Sequence, residues 1–267
     1  MDKLTSLSLF VGTGQCNAHC SHCAGVPLRK YAPKEDGVID EELIYRTIKE
    51  CHSQGARYLS ISSSGEPTLS PLSVTKTLEL IYGCREEGIE FKPINLYSNG
   101  IRIGEDKIFC DTYLPRWRRL GLTTVYVTVH DVDEKKNAMV YGIENYPSLE
   151  LVLSRIHDAG LMIRANLVLS LNTVGTFDKF VPTVGHLKML GVDYISAWPI
   201  RDQEDKVNKK LSPLEEELDK IEKWIEENQS EKCRIRLLRE KSRIAYQTSQ
   251  KLTLFPNGVL SNTWCNR

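Results

Sequence analysis

Six apolar runs, each followed by a stretch of helical spacing, alternate along most of this chain, and one face of these runs is repeatedly polar. The runs are Leu7 to Val11, Tyr58 to Ser62, Ile94 to Ser98, Leu122 to His130, Leu161 to Leu171 and Tyr194 to Ile200. Strand and helix in alternation predict a parallel sheet with right-handed crossovers. In the fifth run Leu161, Ile163, Ala165, Leu167, Leu169 and Leu171 share one face, and Met162, Arg164, Asn166, Val168, Ser170 and Asn172 share the other. In the fourth, Val125, Val127 and Val129 lie opposite Thr124, Tyr126, Thr128 and His130. A parallel sheet covered by helices on both sides is apolar on both. One polar face therefore predicts a curved sheet with helices outside and a polar cavity inside. Six units are too few for an eight-fold barrel, so the expected α/β fold is a partial one.

The intervening helices read as Glu41 to Ser53, stopped by Gly55; Ser73 to Glu87; and Asp106 to Leu120, bent or split at Pro115. A helix capped by Ser148, then Thr176 to Leu190 and Pro213 to Glu227, complete the set. Residues 251–265 read as a β-hairpin turning at Asn257-Gly258. The expected division is a barrel core over 1–200 and an α+β extension over 201–267. An isolated hairpin is only marginally stable in water. The extension is therefore expected to fold over the barrel mouth, bringing Trp264 and Cys265 near a substrate pocket.

A chain of 267 residues with formal net charge zero shows no basic excess that would point to nucleic acid. Arg116, Arg118 and Arg119 read as the solvated end of a helix. No apolar run approaches the roughly 20 residues that cross a bilayer, and the first residues lack the regions of a signal peptide. A cytoplasmic protein without a membrane partner is expected, and its eight cysteines read as ligands or buried thiols rather than disulfides.

Three of those cysteines fall together, in Cys16-Asn-Ala-His-Cys20-Ser-His-Cys23, in the loop after the first strand. Sites in such sheets form at the C-terminal ends of strands. Thiolates at this spacing can face one centre, and iron-sulfur clusters are held by cysteine thiolates, usually four. With three, one iron keeps an open position, which is a catalytic arrangement. The alternative is zinc, with His19 or His22 as a fourth ligand, although no second ligand pair is evident. On that alternative the chain is a non-catalytic metal-binding protein.

The CxxxCxxC loop resembles that of the radical S-adenosylmethionine (SAM) enzymes, with His22 where the family usually has an aromatic residue. Ser64-Gly65-Glu66-Pro67 after the second strand is similar to the family's Gly-Gly-Glu-Pro, Ser64 replacing its first glycine. The third strand ends Ser98-Asn99-Gly100, again as in the family, and the likeness runs from about residue 7 to about residue 200. The resemblance implies a partial (β/α)6 TIM-like barrel and a 4Fe-4S cluster on Cys16, Cys20 and Cys23. SAM would chelate the open iron and be cleaved reductively to methionine and a 5′-deoxyadenosyl radical. His22, Gly65, Glu66, Pro67, Ser98 and Asn99 are then expected around SAM.

Strand alternation adds Thr128, His130, Asn166, Ser170 and Trp198 to that cofactor-binding set, and Arg164 for a carboxylate or phosphate of SAM or substrate, while the expected cover over the mouth brings Cys265 toward a substrate. The expected substrate is a small molecule or nucleotide, or else a peptide. The electron donor would be a protein such as a ferredoxin or flavodoxin.

Overall fold

The one-sided strands build the sheet that their pattern predicts. The structure is a computed structural model that describes residues 4–262, with 247–249 described by backbone alone. In chain order the elements are β1 (Ser6–Phe10), α1 (Glu41–Ser53), β2 (Tyr58–Ser62), α2 (Pro71–Gly83), β3 (Ile94–Ser98), α3 (Ile101–Glu105) and α4 (Lys107–Arg119). There follow β4 (Thr124–Val129), α5 (Glu134–Tyr141), α6 (Leu149–Asp158), β5 (Met162–Leu169), α7 (Phe177–Met189) and β6 (Tyr194–Pro199). The last are α8 (Glu215–Glu227), β7 (Arg234–Leu237), α9 (Glu240–Gln250), β8 (Lys251–Leu254) and β9 (Leu260–Ser261).

Among the described residues nine strands form one sheet in the order β7-β6-β5-β4-β3-β2-β1-β8-β9, parallel except for β9. The order is linear and the two ends do not pair, so the fold is an unclosed partial barrel. β1 to β6 are the expected six strands. β7 extends this set beyond β6, and β8 extends it beyond β1, with Ser6 beside Lys251 and Ser8 beside Thr253. The hairpin around Asn257 is present as β8 and β9, but its first strand is an added parallel strand of the barrel sheet. β7 and α9 carry no clear sequence signal, being a four-residue strand and a weakly apolar helix.

The outer face is apolar but for Ser98 at the end of β3. Leu7, Leu9, Leu59, Ile61, Leu96, Val125, Val127, Val129, Ile163, Ala165, Leu167, Leu169 and Ala197 are all fully buried there, under the helices. Each aliphatic side chain of Val or Leu size contributes about 1.5–3 kcal/mol by leaving water. The inner face holds Ser6, Ser8, Ser60, Asn95, Thr124, Asn166 and Ser196, all buried and all polar.

Local chemistry sets the helix ends. Asp40 accepts from Leu43 N at 2.9 Å, Asp106 from Phe109 N at 2.8 Å and Asp133 from Lys135 N at 2.9 Å, capping α1, α4 and α5. Ser148 precedes α6 as expected, yet its hydroxyl makes no capping bond. Pro115 stays inside α4, and the interruption falls instead at Asp106, between α3 and α4.

Cys51, Cys84, Cys110 and Cys233 are buried free thiols, and Cys110 Sγ donates to Ile103 O at 3.2 Å. Cys51 packs in the apolar layer under α1 as a small hydrophobe. Cys51→Ala should cost about 1 kcal/mol in urea unfolding and leave iron content unchanged. Loss of iron in that variant would place Cys51 at the metal site.

Candidate active site at the C-terminal ends of the strands

The loop after β1 carries Cys16, Cys20 and Cys23, all half-buried and all free. Backbone contacts anchor it. Glu66 N donates to Gln15 O at 2.8 Å, and His19 N donates to Tyr141 O at 2.7 Å. Within the loop, Cys23 N donates to Cys20 O at 3.3 Å. Asn99, at the end of β3, reaches across with its Nδ2, which donates to Asn17 Oδ1 at 2.8 Å and lies 3.9 Å from Cys16 Sγ.

Gly65 explains why the segment after β2 fits so close. A Cβ there would overlap the backbone carbonyls of Gln15 and Gly14. Only glycine lets the two loops meet. Glu66, next in sequence, is 3% exposed, and its carboxylate accepts four hydrogen bonds. They come from Thr68 N at 3.1 Å, Thr68 Oγ1 at 2.8 Å, Ser98 Oγ at 2.8 Å and Asn99 N at 2.7 Å. Burial pushes the Glu66 carboxyl up, and those donors pull it back down. The carboxylate thus ties the loop after β2 to the end of β3. Pro67 begins a buried turn directly after it.

An aromatic column supports the cysteine loop from the β4 side. His22 meets His130 edge-on at 5.3 Å, His130 meets Tyr141 at 4.9 Å, and Tyr141 stacks on Tyr146 at 5.3 Å. Tyr141 Oη donates to Thr128 O and Tyr146 Oη donates to Asn99 O, both at 2.8 Å. Asn137 Oδ1 accepts from His130 N at 2.9 Å and so holds the end of β4. Asn137, Tyr141 and Tyr146 escape sequence reasoning. Two of them lie on α5, whose eight residues have almost no apolar face, so that only its caps, Asp133 and Gly142, signal it locally.

Several inner-face groups are buried without partners. Both ring nitrogens of His130 and both amide atoms of Asn166 make no hydrogen bond, nor does Ser64 Oγ. Unpaired buried polar atoms are rare in native folds, and this group lies on the lumen side or at its mouth. Asn166 is beside Thr128 in the sheet register, and Trp198 is half-buried beside Val168. Ser170 is buried just past β5 and its Oγ accepts from Asn172 N at 3.4 Å. Above them, a cavity of about 280 Å³ is lined by Ser21, His22, Asp202, Gln203, Glu204, Asn208 and Leu211. Cys265, with Trp264, lies outside the described residues.

The thiol set fits an iron-sulfur cluster. Burial pushes the Cys16 thiol up, and burial with the neighbouring Cys23 and Cys16 pushes Cys20 to about 12. Cys16 and Cys20 thus resist ionising, and a coordinated metal centre supplies the charge that makes such thiols thiolates. Among the described residues no three His, Cys, Asp or Glu side chains are grouped to hold a single metal ion. A polynuclear cluster holds its thiolates further apart than a single ion does.

The sequence profile of the radical SAM superfamily matches residues 10–195, the span from β1 through the start of β6. The chain belongs to the radical SAM superfamily. Its cofactors are the family's 4Fe-4S cluster and SAM. Among curated proteins it is similar to GTP 3′,8-cyclase of Haemophilus influenzae, 24% identical over 180 residues, 65% of this chain and 48% of that protein. The cyclase of Cronobacter sakazakii is 23% identical over 158 residues, 59% of this chain and 44% of that protein. The chain thus spans about half the length of the curated relatives it matches.

Among solved structures, Streptococcus suis SuiB bound to its precursor peptide SuiA superposes with a TM-score of 0.69 at 15% identity, covering 98% of this chain and 60% of SuiB. SuiB bound to SAM gives 0.65 at 14% identity, covering 97% and 58%. Escherichia coli coproporphyrinogen III oxidase, also a radical SAM enzyme, gives 0.53 at 15% identity, covering 84% and 52%. These likenesses show the fold.

Gly65→Ala should force the loops apart, lowering iron incorporation while the far-ultraviolet circular dichroism stays that of the wild type. Wild-type iron content in this variant would show that the close approach does not matter.

The His130 ring is held down to about 3 by burial, with His22 adding to the effect. The unfolded chain binds that proton near pH 6.5, so the stability is complete above that pH and is lost as pH falls toward 3. From pH 7 to pH 5, wild type should lose about 2 kcal/mol more than His130→Gln, at 1.36 kcal/mol per unit. Urea unfolding of both proteins at the two pH values checks this, and equal losses would refute it.

Proposed function

We propose that this chain binds SAM at the strand ends and uses the radical derived from it on a small-molecule or nucleotide substrate held in the lumen. The observation that carries the reading is the cysteine loop at the mouth of a barrel whose inner face holds unpartnered polar groups. When bound, cluster and SAM together supply a 5′-deoxyadenosyl radical, and the cofactor pair carries that chemistry.

The protein's own residues do the rest. Cys16, Cys20 and Cys23 would hold the cluster. Glu66 keeps Ser98 and Asn99 in place beside it. His130, neutral at physiological pH, Asn166 and Thr128 would face the nucleoside end of SAM, with Ser170 and Trp198 nearer the rim. His22, Gly65 and Pro67 would shape the pocket from the loops. Arg164 would face the substrate.

The nucleotide-acting relatives support a nucleotide or similar small substrate. A peptide is the second reading, favoured by the open side of the barrel between β7 and β9. The extension that begins at residue 201 is proposed to form a wall of the substrate cavity. A ferredoxin or flavodoxin would supply the electron, and the cytoplasm is the proposed compartment. Among the described residues no helix is long and apolar enough to cross a membrane.

Anaerobically reconstituted protein should be brown, hold about four irons per chain and release 5′-deoxyadenosine from SAM with dithionite. Cys16→Ala, Cys20→Ala and Cys23→Ala should each fall to the level of iron-free protein. A colourless protein holding zinc, or full cleavage surviving one of these changes, would overturn the assignment.

A further inference from the structure

The lumen holds half-buried guanidiniums with few carboxylates beside them. Arg164 projects inward from β5, its guanidinium 4.5 Å from the centroid of the Tyr126 ring. Its Nε is buried without a hydrogen-bond partner, and no ion pair among the described residues includes it. Tyr126 meets Tyr97 edge-on at 4.9 Å, so the two rings and the guanidinium form one row across β3, β4 and β5.

A second guanidinium comes from the opposite direction. α9 links the end of β7, one edge of the sheet, to the start of β8, which carries the other edge strand, β9. It lies on the lumen side, because the Tyr246 hydroxyl is 2.8 Å from Ser6 Oγ on the inner face of β1. Tyr246 also acts on the Tyr126 phenol, which burial pushes up and Arg164 draws down. One turn before Tyr246, Arg243 Nη2 lies 2.9 Å from each oxygen of Asp205. Asp205 is shared, since Arg201 Nε donates to it at 2.9 Å. Glu240 lies 3.6 Å from Arg201 and is largely solvated. Arg243 Nη1 is buried and unpartnered.

Three guanidiniums therefore have one buried carboxylate and one exposed carboxylate between them. A buried charged donor left unpaired costs more than a neutral one. The guanidinium fork matches planar carboxylate and phosphate oxygens. We propose that the substrate is an anion, bearing phosphate or carboxylate, held by Arg164 from the barrel wall and by Arg243 from the helix that crosses the opening. Tyr97 and Tyr126 would pack against its flat or apolar part. This rests on the reading of the lumen as the substrate chamber of a SAM-dependent enzyme.

Calorimetric titration of the reconstituted protein with pyrophosphate, GTP and citrate tests the site and separates phosphate from carboxylate. At least one should bind with a Kd below about 1 mM, and Arg164→Met and Arg243→Met should each weaken it tenfold or more. Arg164→Lys should recover part of the loss, since the charge remains and the fork does not. Iron content and circular dichroism report whether each variant is folded. Arg164 stands on a central strand, so its variant tests the site independently of how α9 is held. Wild type that binds none of the three, or variants that bind as wild type does, would overturn the inference. Anion binding that depends on both arginines in a protein that forms no 5′-deoxyadenosine would support the site and remove the enzymatic reading instead.

Discussion

Strands that are apolar on one face and polar on the other cannot be buried symmetrically in a parallel sheet. Helices cover the apolar face, where Leu59, Val127, Ile163 and Leu167 lose all contact with water. The polar face must then curve around something that satisfies it. Serines partner one another where they can, as Ser60 Oγ does with Ser8 Oγ at 3.0 Å. The remainder face a lumen. The position of the site follows, because parallel strands deliver all their C-terminal loops to one rim.

At that rim the buried carboxylate of Glu66 is the knot. Its four donors come from its own turn and from the end of β3, while its backbone holds the cysteine loop. The His22–His130–Tyr141–Tyr146 column does the same from the other side. A loop of over twenty residues with little secondary structure is thereby fixed at both flanks. Such fixation is what a reactive centre needs, since its ligands must be positioned before the cofactor arrives.

Below the rim, the unpartnered groups divide by chemistry. His130 and Asn166, neutral, sit near the mouth. Arg164, cationic, projects inward from β5, and Arg243 stands on α9 beside Asp205. Aromatic rings from β3 and β4 lie beside Arg164.

Much of this was legible in the chain. α1, β2 and β3 have the bounds that periodicity and turn residues predict, and the inward set of β4 and β5 follows from counting by twos. The three motifs at the ends of β1, β2 and β3 were readable because each is local, a few residues fixing one loop. α5, β7 and α9 were not, since short or weakly apolar segments form only when neighbours supply the packing. No local signal pairs β8 with β1, whose partners lie about 245 residues apart, as Thr5 and Gln250 do. Local pattern by itself determined the strands, their inward faces and the cysteine loop, because those depend on the alternation of side chains along a backbone. The edges of the barrel, the hold of Glu66 on β3 and the place of Arg243 were decided only by tertiary structure, because each depends on which distant surfaces remain to be covered once the sheet has curved.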